Sequence, residues 1–241
     1  MGATIDVEKL MPIITLDSAL EEVFYEKCRE KKSFSNILIE WVNSKPVYEN
    51  YTKMIVKSYG NYSKHDRSHS IAILDSIYAI LGKDRVRELD IMDLWLLLHC
   101  AYAHDIGMPY TYDEAKQFWD SVSRPESEFR KFLQECIESS EDKDAKKAAE
   151  YIINMSKKLQ DDSEKDIWKN VGINMQGGMT DSWPLTIARY NEYLVTEFCR
   201  KNHTKRSEKF MIQKADEIIY DTPYVLSSRF YRVIAACSMV H

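Results

Sequence analysis

Apolar residues recur every three or four positions along most of the chain, the spacing of helices that each bury one face. From Leu16 to Val42, Leu20, Val23, Phe24 and Cys28, then Phe34, Ile37, Leu38 and Trp41, define two short helices, with a turn at Asn43-Ser44-Lys45-Pro46. A stripe of His69, Ile73, Ile77, Ile80 and Leu81 predicts a helix that stops at Gly82 and carries His69 on its buried side. The next helix, about Ile91 to His104, is apolar almost all round and halts at Gly107 and Pro109, so it is expected at the centre of the domain. One long helix is predicted from about Pro184 to Phe210 through Ile187, Leu194, Phe198 and His203, with Pro184 near its first turn. A last one starts near Ser227 and runs through Phe230, Val233, Ile234, Cys237 and Val240 to His241.

Between Tyr110 and Trp183 the character changes. Charged amphipathic stretches around Phe129 to Ile137 and Ala145 to Leu159 precede a glycine-bearing segment, Gln176-Gly177-Gly178-Met179. This region reads as an inserted subdomain or cap with a loop, and a plain surface helical hairpin fits equally well. The expected organisation is a single all-α domain: N-terminal helices over 1–60, a core over about 61–110 and 184–241, and an insertion over about 111–183. The helix ending at His241 lacks a Gly, Asn or basic last turn to satisfy its terminal carbonyls, so the chain is expected to be a piece of a longer protein.

Composition narrows the function classes. Only 7 Gly and 6 Pro among 241 residues argue against turn-rich sandwiches and barrels and against disorder. With 33 Lys+Arg against 38 Asp+Glu and a net charge of −5, interspersed in sign, the chain lacks the concentrated basic face that duplex DNA requires, although a local basic pocket remains open. Five cysteines, Cys28, Cys100, Cys136, Cys199 and Cys237, are widely spaced and read as free, mostly buried thiols of a cytoplasmic protein. The N-terminus has acids early and no secretory pattern. The longest apolar run, Leu94 to Ala103, is about half of the roughly 20 residues of a membrane helix, so it reads as core and no membrane partner is expected.

Histidines carry the candidate chemistry. His69, His203 and His241 lie on apolar stripes of different predicted helices, and His104 ends the central one with Asp105 directly after it. A lone histidine on an apolar face is usually a satisfied core residue, but four on separate helices are hard to take as coincidence. Neutral imidazole nitrogens with a carboxylate are ligand types for a divalent transition metal.

The segments RSHSIAIL, with His69, and AHDIGM, with His104 and Asp105 thirty-five residues on, resemble the HD superfamily of metal-dependent phosphohydrolases, an all-helical fold. The resemblance implies His69, His104 and Asp105 as metal ligands. RKNHTKRSEKF, with His203, resembles the additional histidine helix of HD subgroups with larger ligand sets, and CSMVH, with His241, resembles another. The resemblance implies a final Asp of the simplest HD set, for which Asp216, Asp221 and a residue beyond His241 are equal alternatives. More narrowly, AHDIGM, a long insert and RKNHTKRS resemble HD domains fused upstream of a histidine-kinase-type (GHKL) ATPase domain, which implies a C-terminal ATPase domain in the parent protein.

The resemblance further implies hydrolysis of a phosphate ester in a nucleotide or other small phosphorylated substrate, with Asp105, Arg206 and Arg200 as catalytic residues. Its cofactor would be one or two ions of Zn, Mn, Fe, Ni or Co rather than Ca or Mg, Asp105 bridging if there are two. Arg200 and Arg206 bracket His203 and suit bidentate phosphate recognition, with salt bridges to local acids as the alternative. Lys64 and Arg67 are weaker candidates of the same kind. His65 either lines the site or is solvated, and His99 is expected to be a core histidine bonded to a backbone carbonyl. Two other classes stay open. One is a regulatory module of a larger ATPase-containing protein, favoured by Met108 where many catalytic members carry Lys. The other is a single-strand nuclease using Lys201, Lys205, Arg206 and Lys209.

Overall fold

The computed structural model describes residues 15–58, 67–160, 185–221 and 226–238, which form eleven α-helices, a short 3-10 turn and no strand. The expected all-α bundle is what forms. Contacts divide the chain into one unit, Met1–Pro109 with Asn202–His241, and a second, Tyr110–Lys201.

The first unit holds α1 (Ala19–Glu30), α2 (Ser35–Ser58), α3 (Arg67–Leu81), α4 (Lys83–Glu88) and α5 (Ile91–Ala103). After the excursion into the second unit it continues with α10 (His203–Asp221) and α11 (Leu226–Ser238). Helix α5 is its axis, packed on by α1, α2, α3 and α11. A capping box starts it: the Asp90 carboxylate accepts from the Asp93 amide (2.8 Å), and Asp93 accepts from the Asp90 amide (3.3 Å). Leu94, Trp95, Leu98, Ala101, Tyr102 and Ala103 are buried around it, as an all-round apolar helix requires.

Four helix expectations are corrected. The turn expected at Asn43-Ser44-Lys45-Pro46 is helical, since α2 runs straight through Pro46. An internal proline costs roughly 3 kcal/mol, but Leu38, Trp41, Lys45, Tyr48, Thr52 and Ile55 are all buried at alternating three- and four-residue spacing, and Pro46 faces solvent. Burial of that long seam outweighs the local defect. In α3 the buried residues are Ser70 and Leu74, while Ile73 and Ile77 flank them and Ile80 is 82% exposed, so the face sits about one residue away from the expected stripe. In α11, likewise, Tyr231, Ile234 and Ala235 are buried and Val233 and Cys237 are exposed.

The single helix expected from Pro184 to Phe210 is two, α9 (Leu185–Lys201) and α10, interrupted at Asn202. The cause is a change of core. Ile187, Leu194, Val195 and Phe198 of α9 pack within the second unit, whereas Met211 of α10 packs within the first. Asn202, a favoured helix-start residue, accepts the Arg206 amide at 3.0 Å through its carbonyl.

Two buried polar networks fasten α2 in the first unit. The Lys45 ammonium donates to Asp17 (2.6 Å), Glu21 (2.6 Å) and the Thr15 carbonyl (2.7 Å), and Asp17 also pairs with Arg67. Glu40 accepts from Trp95 Nε1 (2.5 Å), Ser44 (3.0 Å) and Tyr231, and lies 3.3 Å from His99 Nε2. The other His99 nitrogen meets the Tyr48 hydroxyl at 2.7 Å. His99 is therefore a core histidine, as expected, but its ring nitrogens face the Tyr48 and Glu40 side chains rather than a backbone carbonyl, and Trp41, Tyr48, Trp95 and Tyr231 ring it.

The second unit comprises α6 (Tyr112–Ser121), α7 (Glu128–Ser139), α8 (Lys143–Gln160) and α9. Thr111 and Glu114 form the capping box of α6, and Ser127 caps α7. Phe118, Phe129, Phe132 and Phe198 meet ring to ring at its core, beside Leu133, Ile152 and Leu194. The expected segment Gln176-Gly177-Gly178-Met179 lies outside the described residues.

Candidate metal centre

Helix α5 ends where its sequence stops supporting a helix. His104 is its C-cap, and the next residues fold into tight turns, Ile106 N–H donating to the Ala103 carbonyl (3.2 Å) and Met108 N–H to the Asp105 carbonyl (2.9 Å). These turns aim the His104 and Asp105 side chains the same way. His69, in the first turns of α3, comes from the other side: its Nε2 is 3.2 Å from His104 Nε2 and 3.6 Å from Asp105 Oδ2, while His104 Nε2 is 3.0 Å from the same oxygen.

These separations decide what the cluster can hold. Ligands about 2.0–2.2 Å from one cation, set 90–109° apart, are roughly 2.8–3.6 Å from each other, and all three distances fall in that interval. The three residues form a metal-type group among the described residues. Asp105 and His104 are buried and the His69 side chain is 34% exposed, so the group opens toward solvent on the His69 side.

Protonation fits the same use. His104 Nδ1 lies 3.0 Å from the Ala101 carbonyl, an acceptor only, so Nδ1 carries a hydrogen and Nε2 is the ring atom left to face a cation. The donor set, two imidazoles and a carboxylate, suits a divalent metal.

His203 opens α10 and stands on the far side of Asp105, its Nε2 3.8 Å from Oδ1. It adjoins the trio without closing it. Arg206, read as a phosphate-binding group, donates to backbone through two of its nitrogens, Nε to the Gly107 carbonyl (2.6 Å) and Nη2 to the Pro109 carbonyl (2.8 Å). Arg200 lies in the second unit and pairs with Glu197 (2.7 Å). Lys201, a nuclease-groove candidate, sits over the Phe132 ring in that same unit. Arg67 is engaged with Asp17 and with Glu49 (3.2 Å). Met108 is buried and packs on Ile55. His65, Lys64 and His241 lie outside the described residues, as do the side chains of Asp216 and Asp221.

Sequence reasoning passed over two residues. Ser207 is fully buried, donating to the His104 carbonyl (2.8 Å) and accepting from the Gly107 amide (2.9 Å). Gly107 touches α10 so closely that an added Cβ would lie 2.2 Å from the His203 carbonyl oxygen and 2.4 Å from the Ser207 nitrogen. The one available signal was that Ser207 follows His203 by four residues, on the same helix face.

With this geometry an HD-type domain is the class that fold and site define. The chain belongs to the HD-CE family, whose model matches residues 51–239. No curated protein and no solved structure gives a match. Of the five cysteines, Cys28, Cys136 and Cys199 are buried, Cys100 is half-buried and Cys237 is exposed, and none forms a disulfide. Among the described residues no helix is long and apolar enough to cross a membrane.

Proposed function

We propose that this chain is a metal-dependent phosphohydrolase acting on a nucleotide or another small phosphoester. The observation that carries the reading is the convergence of His69 Nε2, His104 Nε2 and Asp105 Oδ2 at ligand-to-ligand distances beside solvent. A divalent cation held there would supply Lewis acidity toward a phosphoryl oxygen and a water of lowered pKa. His104, its tautomer fixed by the Ala101 carbonyl, and His69 would hold the ion through neutral nitrogens. Asp105 would balance its charge with Oδ2 and keep Oδ1 toward His203, which makes His203 a candidate to enlarge the set, and the resemblance of CSMVH adds His241.

Met108 and Arg206 favour a second reading, a regulatory HD module of a larger protein bearing a GHKL-type ATPase domain. A buried thioether at the position after Gly107 gives a phosphate no cation, and the Arg206 guanidinium is bound to two carbonyls. One screen separates the readings: the full chain, loaded in turn with Zn, Mn, Fe, Ni and Co, is assayed on nucleotides, generic phosphoesters and single-stranded oligonucleotides. Release of phosphate from small esters with at least one metal, lost in Asp105→Ala, is the expected result. Metal binding without turnover of any substrate supports the regulatory module, and cleavage of oligonucleotides alone supports a nuclease.

A further inference from the structure

We infer that Ser207 and Arg206 are positioning residues for the metal centre, which together fix the tetrapeptide His104–Gly107 against α10 and thereby set Asp105 relative to His203. The inference rests on the metal-site reading above and concerns how the chain holds that site. The Ser207 hydroxyl bonds to both ends of the tetrapeptide, the His104 carbonyl and the Gly107 amide, and so closes a ring around the backbone of Asp105. The Arg206 guanidinium takes the Gly107 and Pro109 carbonyls.

Ser207 and Arg206 lie on α10 within about one turn of His203, so the helix that presents the imidazole also grips the turn that presents the carboxylate. Gly107 makes the approach possible, since any side chain there would collide with the His203 carbonyl and the Ser207 amide. A slide of α10 along this turn would carry His203 past Asp105, and a ligand set tolerates only about 0.5 Å of such error. The bonds described above join the hydroxyl and the guanidinium to main-chain groups. They act by holding backbone.

The test uses the full chain stripped of metal. Zn2+ or Mn2+ alone is titrated by calorimetry into wild type, Ser207→Ala, Arg206→Met and, as a control destabilised elsewhere in the same unit, Glu40→Gln. Loss of an outer partner of a metal site typically weakens binding about 10–100-fold. Ser207→Ala and Arg206→Met should therefore bind at least about tenfold more weakly, and Glu40→Gln as wild type. In parallel, amide exchange of the peptide over residues 104–109 in the metal-free proteins should quicken in the two α10 variants and stay unchanged in Glu40→Gln. Wild-type binding matched by both α10 variants, or equal weakening in Glu40→Gln, overturns the inference while leaving the metal site standing. A wild type that binds neither Zn2+ nor Mn2+ overturns the metal reading and the positioning role with it. The exchange data then show whether the clasp exists as a purely structural contact.

Discussion

Lys45 offers the sharpest test of how the first unit is held together. Its ammonium lies 2.6 Å from both Asp17 and Glu21 in a seam where the side chains of Lys45, Asp17 and Glu21 are only 10%, 11% and 1% exposed. Lys45→Met keeps the stem and removes the charge, leaving Glu21 buried with no cation beside it. Breaking a buried pair from one side costs about 3–5 kcal/mol, and at this chain size each kcal/mol lowers the melting temperature by about 2–4 °C, so the drop should be roughly 6–20 °C. The loss should depend on pH in a defined direction. Burial already pushes the Glu21 carboxyl above its ordinary value against the pull of Lys45, and without Lys45 it rises further. A group whose folded pKa is raised binds more protons folded than unfolded, so the stability it gives is present at low pH and falls as pH rises through the folded value. The deficit of Lys45→Met relative to wild type should therefore be larger at pH 8 than at pH 5, and adding Glu21→Gln should recover more than half of it at pH 8. Melting followed by circular dichroism at the two pH values decides the matter. A drop under about 2 °C, or a deficit larger at pH 5, would refute the reasoning.

Asp105→Ala should abolish metal uptake, measured by elemental analysis, while the metal-free protein melts no lower than wild type, because the carboxylate is held desolvated for binding rather than for packing; retained metal would place the site elsewhere. Glu40→Gln should cost about 1.5–3 kcal/mol through its charged hydrogen bonds. Burial opposes the Glu40 charge, but His99, Tyr231 and Trp95 hold its carboxyl below the ordinary range. Its contribution is thus present above its unfolded pKa and lost as pH falls through the folded value, so the deficit of the variant in urea melts should shrink on acidification; a deficit constant from pH 7 to pH 3 would contradict this. Exposed Cys237 should alkylate first in native protein at pH 8, whereas Cys28, its thiol pushed up to about 12 by burial, should label only on unfolding; peptide mass spectrometry showing equal rates would disprove the packing of α1.

What the sequence made legible divides along a physical line. A stripe with a period near 3.6 reveals that a helix exists, because the period belongs to the helix itself. The phase of burial belongs to whatever packs on the helix, and that is why α3 turns Ser70 and Leu74 inward and leaves Ile80 in water. Likewise His69, His104 and Asp105 could be singled out because a His-Asp step at the end of an apolar helix is unusual chemistry. The part played by Ser207 could not, since a serine among charged residues looks like surface until the approach of α10 to Gly107 is known. Pro46 misled for a related reason: polar Asn43, Ser44 and Lys45 with a proline have the composition of a turn, yet Lys45 occupies a buried seam position. A lysine can take such a position only when its charge is met, and the carboxylates that meet it, Asp17 and Glu21, lie more than twenty residues earlier. Polar residues buried by long-range pairing are thus the positions at which a local pattern and the folded chain diverge, and in this molecule they fasten α2 to the N-terminal helix and α10 to the turn that carries Asp105.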